Sequence, residues 1–322
     1  KEVIEKGTKV FFLNKRKGFD IRVVSEIIAL LREYKPDIVH THRYALSYVL
    51  MSLPFSGVSV CIHTVHNVAY KEVGKIWRML FWFAFNVFGV IPVSISESVA
   101  STVKSLYGKN LYTPVIYNGA KTQRFIEVDR LDTTKNNIVI LNVARFEEQK
   151  NHKLLIEAFA LLAQSFPNVE LWLVGDGPLK PQIEIMVKDK NLTEKVKFLG
   201  IRSDIPGILA CSDIFVLASS YEGFGLSVIE AMASKKPVVA TNLPAIQEVV
   251  VNGETGILVP PSNSKMLAEA ILQLVRDKES REEMGRKGQL RATTLFDISK
   301  TVQNYEALYM KLFKERNRYG KT

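Results

Sequence analysis

The sequence predicts an α/β protein made of two Rossmann-like, doubly wound domains, and three observations carry that expectation. The chain has 322 residues, too many for one ordinary core and well suited to two. Short apolar runs bounded by turn residues alternate with stretches of helical period, as in parallel sheets covered by helices. The alternation stops and restarts once, across a polar, aperiodic stretch at 121–137 that reads as an inter-domain linker. Hydrophobic residues make up 47% of the chain, which argues against disorder.

In the first half, strand-like runs fall at 9–13, 37–41, 58–65, 90–94 and 115–117, with helix-like stretches at 21–33, 44–53, 76–91 and 97–107. Asn118-Gly119 closes this half. In the second half, strands are expected at 138–144, 170–174, 196–199, 214–217, 237–241 and 256–259, and helices at 152–164, 179–188 and 225–233. Phe166-Pro167 and Asn191 mark helix exits. From Ser264 onward the tail is helical, ending in a helix at 298–314. The expected division is 1–122, then 123–297, then a C-terminal helix at 298–322 packing back on the first domain. The two domains face each other across a cleft. In such sheets ligands sit beyond the carboxyl ends of the strands.

Cys61 and Cys211 lie in apolar runs far apart, which reads as two buried, reduced thiols. The net charge is +10, and residues 1–120 hold fifteen Lys and Arg against eight Asp and Glu. A basic first half suits an anionic partner, or else reflects solvated helix faces. No zinc finger, RNA-recognition motif or basic heptad array favours nucleic acid. The segment 76–91 is apolar nearly all round but short for a membrane span, which needs ~20 residues. It reads as a core helix, or as one entering the membrane interface beside Lys71, Lys75 and Arg78.

The chemistry-bearing residues concentrate in the second half. Glu222-Gly223-Phe224-Gly225-Leu226 follows the strand at 214–217 and opens a helix whose first turn lacks polar side chains, a ready anion site. Glu230 lies inside that helix among residues that carry no other charge, so it is expected to be part-buried and to need donors, such as the two hydroxyls of a ribose. Glu222, in the loop, is placed to face a ligand. Arg145 and Lys150 follow the strand at 138–144 and suit phosphate oxygens, one as a planar fork and the other as a point charge. A salt bridge within the fold for Glu230, and ordinary surface charges for the two cations, are the competing readings. No Asp-x-Asp follows a strand, and no metal site is expected.

The set Arg145-x4-Lys150, Gly175-Asp176-Gly177-Pro178-Leu179, Phe198-Leu199-Gly200 and Glu222-x7-Glu230 resembles the group 1 glycosyltransferases, family 4, of GT-B fold. The motifs recur in family order, and a looser likeness covers nearly the whole chain. The resemblance implies that Arg145 and Lys150 grip the donor diphosphate, that Glu222 contacts the donor sugar and that Glu230 binds the ribose. It places backbone N–H groups of Phe224, Gly225 and Leu226 at the phosphates. It also puts Gly175 in the donor site and the main chain at Ile201 and Arg202 by the base. In the first half it makes His66, in Ile62-His63-Thr64-Val65-His66-Asn67, the histidine that faces the reacting sugar. Asp37-Ile38-Val39-His40-Thr41-His42 is also family-like, without a role for either histidine.

The implied activity is metal-free, retaining transfer of a hexose from a nucleotide diphosphate sugar, foremost a UDP-sugar, to a glycan or lipid-linked acceptor. No other cofactor is expected. The implied setting is cytoplasmic, with peripheral contact at the inner membrane face through the first domain. Two departures stand out. The family's opening strand and Gly-rich loop do not occur in this sequence, which begins at Lys1, so the first domain is expected to be incomplete and the chain to bind donor weakly or turn over slowly. Asn118-Gly119-Ala120 is followed by Lys121 where the family often has Asp. The alternatives are a nucleotide-sugar-binding protein without turnover, and an epimerase or phosphorylase on the same architecture. A dehydrogenase is disfavoured, because Lys180 stands where a Gly-x-Gly-x-x-Gly needs glycine.

Overall fold

The computed structural model describes residues 7–58, 60–126, 128 and 137–319. By its internal contacts the chain forms two compact units. One comprises Lys1–Val93, Thr102–Pro114 and Ala307–Thr322; the other comprises Ser94–Ser101 and Val115–Glu306.

The first unit is built on three parallel strands, β1 (Ile38–His42), β2 (Val60–Val65) and β3 (Ile91–Ser94), in that order. Between and around them run α1 (Ile21–Tyr34), α2 (Ala45–Ser52), the single turn α3 (Ala69–Glu72), α4 (Lys75–Asn86) and the later part of α5 (Glu97–Tyr107), whose first residues belong to the other unit. Asp20 starts α1 by accepting from the Arg22 backbone N–H, while Lys35 ends it in a left-handed conformation, φ 44°. Val23 and Val24 of α1 pack on Tyr48 of α2. In α4 the inward stripe is Phe81, Ala84 and Phe85, and its two phenyl rings meet the ring of buried His63. The core-helix reading of this segment therefore holds for one face only.

Two expected strands fail. Residues 9–13 are irregular, with no strand beside them among the described residues. A parallel strand needs a neighbour for its backbone groups. Here Lys9 and Phe11 instead lie against the Tyr34 ring, and Leu13 packs on the Val23 and Tyr48 cluster. At 115–117 only Val115 bridges, to Ser94. The expected linker at 121–137 falls largely outside the described residues. Its start forms α6 (Gln123–Ile126), anchored by Thr122, whose hydroxyl donates to Asp297.

The second unit carries a six-stranded parallel sheet of β4 (Ile138–Val143), β5 (Val169–Val174), β6 (Val196–Gly200), β7 (Ile214–Leu217), β8 (Val238–Thr241) and β9 (Gly256–Val259). Their spatial order is β6-β5-β4-β7-β8-β9. This is the doubly wound order, with a topological switch between β4 and β7. Its strands are nearly continuous apolar runs because helices cover both faces. The helices are α7 (His152–Ser165), α8 (Lys180–Asp189), α9 (Ile205–Ala210), α10 (Leu226–Ala233), α11 (Pro244–Val249), α12 (Ser264–Arg276) and α13 (Lys278–Leu295). The six-residue helices α9 and α11 escape a periodicity reading because each makes fewer than two turns. The last helix, α14 (Ile298–Tyr319), gives its first residues to this unit and its last to the other. Cys61 and Cys211 are buried and free, and burial pushes the Cys61 thiol up to about 12.

Candidate active site

The switch between β4 and β7 brings two loops together at the carboxyl ends of adjacent strands. After β4 the chain passes Arg145 and turns through a short 3-10 segment, Glu148–Lys150. Asn151 then takes a left-handed φ of 47° and caps α7, its side chain accepting from the Leu154 N–H. After β7 come Ser219 and Glu222. The loops are joined where the Ser220 N–H donates to the Gln149 carbonyl (2.8 Å) and the Gln149 side-chain amide donates to the Tyr221 carbonyl (3.0 Å).

At the centre of this junction Lys150 Nζ sits 2.6 Å from Glu222 Oε1. Ser219 Oγ donates to the same oxygen at 2.6 Å, and Ser219 is itself positioned by Thr241, whose hydroxyl donates to the Ser219 carbonyl. The Glu222 side chain is only 6% exposed and that of Lys150 21%. Glu222, read from the sequence as a loop residue able to face a ligand, is buried with its charge matched, because an unpaired carboxylate at that depth would be costly. Lys150 keeps the more open position.

Beyond the pair, Gly225 precedes α10 with φ 95° and no side chain caps the helix. Leu226 is exposed and Phe224 buried. The Phe224 ring stacks on Tyr117 at 5.4 Å and meets Phe296 edge-on, which fixes the course of the loop before the helix start. One turn into α10, Glu230 is half-buried. Burial raises its carboxyl pKa, with the Arg124 charge opposing.

A cavity of about 600 Å³ opens at the ends of β4, β5 and β6, lined among others by Arg145, Gly175, Asp176, Ile201 and Arg202. That volume is in the range of small-molecule sites. Arg145 is 73% exposed and pairs with Glu147 at 2.9 Å. Arg202 is held by Asp204. Gly175 has φ 134°, and a Cβ there would lie 2.1 Å from the Ala144 carbonyl oxygen, while one on Gly177 would lie 2.6 Å from that of Phe146. The Gly-x-Gly is thus required for the loops after β4 and β5 to pass each other. Of the residues singled out, the fold gathers Arg145, Gly175, Ile201 and Arg202 at one cavity and Lys150 with Glu222 at the adjacent switch.

His66 belongs to the other unit. It follows β2, with Nε2 2.9 Å from Nδ1 of His42 at the end of β1. Burial lowers both rings, His66 to about 4, with the His42 charge adding to the effect. Both imidazoles are therefore neutral at pH 7, one donating to the other. A cavity of about 210 Å³ here is lined by His66, Arg43, Tyr44, Asn67, Lys71 and Glu72. His40, whose ring bonds Thr64 and Tyr309 (both 2.7 Å), supports the cluster from behind.

Residues 123–291, over half of the chain, match the glycosyl transferases group 1 family. The chain is a group 1 glycosyltransferase. Residues 1–124 match glycosyltransferase family 4. The glycosyltransferase is 25% identical over 309 residues to the N-acetyl-alpha-D-glucosaminyl L-malate synthase of Bacillus anthracis, spanning 92% of this chain and 80% of that one. It is 28% identical over 308 residues to the UDP-Gal:alpha-D-GlcNAc-diphosphoundecaprenol alpha-1,3-galactosyltransferase of Escherichia coli, spanning 90% and 79%. Among solved structures it resembles Anabaena HepE, determined with UDP and glucose, with a TM-score of 0.80 at 24% identity over 89% of this chain and 81% of that one. A Rickettsia africae glycosyltransferase aligns with a TM-score of 0.81 at 20% identity over 99% and 87%. These likenesses establish the GT-B fold.

Several residues that hold the singled-out side chains in place were not legible in the sequence. Ser219 and Gln149 hold Glu222, and His42 pairs with His66. His42 alone carried a signal, through its place in the His-x-His after Asp37, but a motif does not say which partner its ring will meet.

Proposed function

We propose that this glycosyltransferase moves a hexose from a UDP-sugar to a lipid-linked or glycan acceptor, with retention and without a metal, while peripherally bound to the inner membrane face. The observation that carries this reading is the Lys150–Glu222 pair at the β4–β7 switch beside a cavity lined by Arg145. Arg145 and Lys150 supply positive charge where a departing diphosphate needs it, the role a metal fills elsewhere. With the pair buried on one side, Lys150 is held in a fixed place, so little reorganisation is needed as the leaving group gains charge. Glu222 orients Lys150 and contacts the sugar. Glu230 receives the ribose hydroxyls, Gly175, Ile201 and Arg202 frame the base, and backbone at Phe224, Gly225 and Leu226 meets the phosphates. The bond from sugar C1 to the diphosphate breaks as the acceptor oxygen bonds C1 from the same face, and the acceptor proton passes to the departing phosphate. The Escherichia coli relative, whose name couples UDP-Gal with a diphosphoundecaprenol acceptor, supports both substrate kinds.

The test is calorimetric titration of UDP, GDP and ADP in the presence of EDTA. Saturable binding of UDP is expected, and failure of all three nucleotides would overturn the donor site. Proton NMR of the transfer product then reads the anomeric outcome, and an inverted product would remove the retaining assignment.

A further inference from the structure

The outer face of α4 is not the polar face of an ordinary surface helix. At the 100° step of an α-helix, its exposed residues form one arc running from Trp82 through Lys75, Asn86, Met79 and Phe83 to Ile76. Four of these six are large and apolar, and Ile76 is 83% and Met79 65% exposed. Val87 and Phe88 extend the patch past the helix end. The opposite stripe, Phe81, Ala84 and Phe85, is already used in the core. The outer arc is therefore surplus to folding, and contiguous exposed apolar surface of this kind marks an interaction site.

The charge around the arc selects the partner. Lys75 lies within it, Arg78 lies beside it and exposed Lys71 sits in the helical turn just before, and no Asp or Glu occurs between Glu72 and Glu97. Glu72 is half-buried, facing the cavity with His66. Arg78 is fixed at the helix start by donating to the Val73 and Tyr70 carbonyls. The Phe19 ring lies 6.1 Å from Trp77 and ties the basic run Lys15-Arg16-Lys17 to the same end of the helix. A second copy packed symmetrically on this face would set these cations against themselves. An anionic bilayer satisfies both features, because aromatic and aliphatic side chains enter the boundary between headgroups and acyl chains while Lys and Arg meet lipid phosphates. The helix has 12 residues, too few to span, and no helix among the described residues is long and apolar enough to cross a membrane.

We infer that α4 is an interfacial docking helix that seats the first unit on an anionic membrane, with Ile76, Met79, Trp82 and Phe83 inserted and Lys71, Lys75 and Arg78 at the headgroups. This rests on the proposed peripheral membrane location and names the element that provides it.

The experiment is flotation of the full chain with vesicles of phosphatidylcholine alone and of phosphatidylcholine mixed with phosphatidylglycerol. Binding to the anionic vesicles only is expected. The variant Ile76→Ser/Met79→Ser/Phe83→Ser, all at exposed positions, should bind at least tenfold more weakly, and Lys75→Gln should lose about fivefold. Brominated lipid should quench a fluorescence component that Trp82→Phe removes. No flotation with either vesicle, equal flotation with both, undiminished binding of the triple variant, or quenching unaltered by Trp82→Phe would each overturn the inference. UDP titration of the same samples separates the two readings. Retained UDP binding in a chain that does not float sinks the membrane location and the docking helix with it, undiminished flotation of the triple variant sinks the docking helix alone, and flotation without UDP binding sinks the donor site alone.

Discussion

At the scale of single residues, the Lys150–Glu222 pair governs what mutation will show. Lys150→Ala removes the cation from a nearly buried carboxylate and leaves Ser219 and Gln149 as its partners. It should reduce transfer more than tenfold and also lower stability by about 1–3 kcal/mol, since a buried charge has lost its match. Urea denaturation beside initial-rate measurements checks both, and an unchanged rate would refute the assigned role. Glu230→Ala differs, because its half-buried carboxyl pKa is raised by burial and the side chain gives little to the fold. Transfer should fall over tenfold with the urea midpoint preserved. His66→Ala should reduce transfer by a similar factor while leaving the heat of UDP binding intact, because the residues proposed to bind the donor lie in the other unit. Loss of UDP binding in that variant would show that His66 serves the donor site itself.

Elements explain why the glycines are where they are. Gly175 and Gly200 both have positive φ, yet a Cβ at Gly175 would strike the Ala144 carbonyl whereas one at Gly200 would enter open space. Gly175→Ala should therefore cost roughly 1–3 kcal/mol, from backbone strain and a forced separation of the loops after β4 and β5. Gly200→Ala carries the φ strain without the clash and should cost less. Equal urea midpoints for the two variants would remove the close-approach argument. The same Gly-x-Gly is a weak functional signal in sequence. Its steric role appears only when β4 and β5 lie side by side in register.

For the whole molecule, acid sensitivity follows from the histidines. All five of the chain are held below the usual imidazole value, first by burial: His40 and His66 to about 4, His63 to about 3, His152 to about 4, and His42 in the same direction. Between those values and 6.5 the unfolded chain binds more protons than the folded one, so stability rises with pH through that window and is lost as pH falls. Glu72 and Glu230, whose carboxyls are raised by burial, oppose this, but there are five imidazoles against two carboxyls. The urea midpoint should thus be clearly lower at pH 5.5 than at pH 7.5, and an unchanged midpoint would contradict the neutral histidine cluster.

Local sequence determined which stretches would be helix or strand, because apolar period is a property of neighbours along the chain. It also determined the family, because Arg145, Lys150, Gly175, Glu222 and Glu230 stand in a recognisable order. It misread 9–13, where strand propensity met no adjacent strand. Tertiary structure alone decided that Glu222 would be buried against Lys150, 72 residues away, and that His42 would bond His66. It alone decided which arc of the apolar α4 would face outward. Those outcomes depend on which strands lie adjacent, in what register, and on which helix face the sheet accepts. Pairings of that kind are set by the packing of distant segments, and no local pattern encodes them.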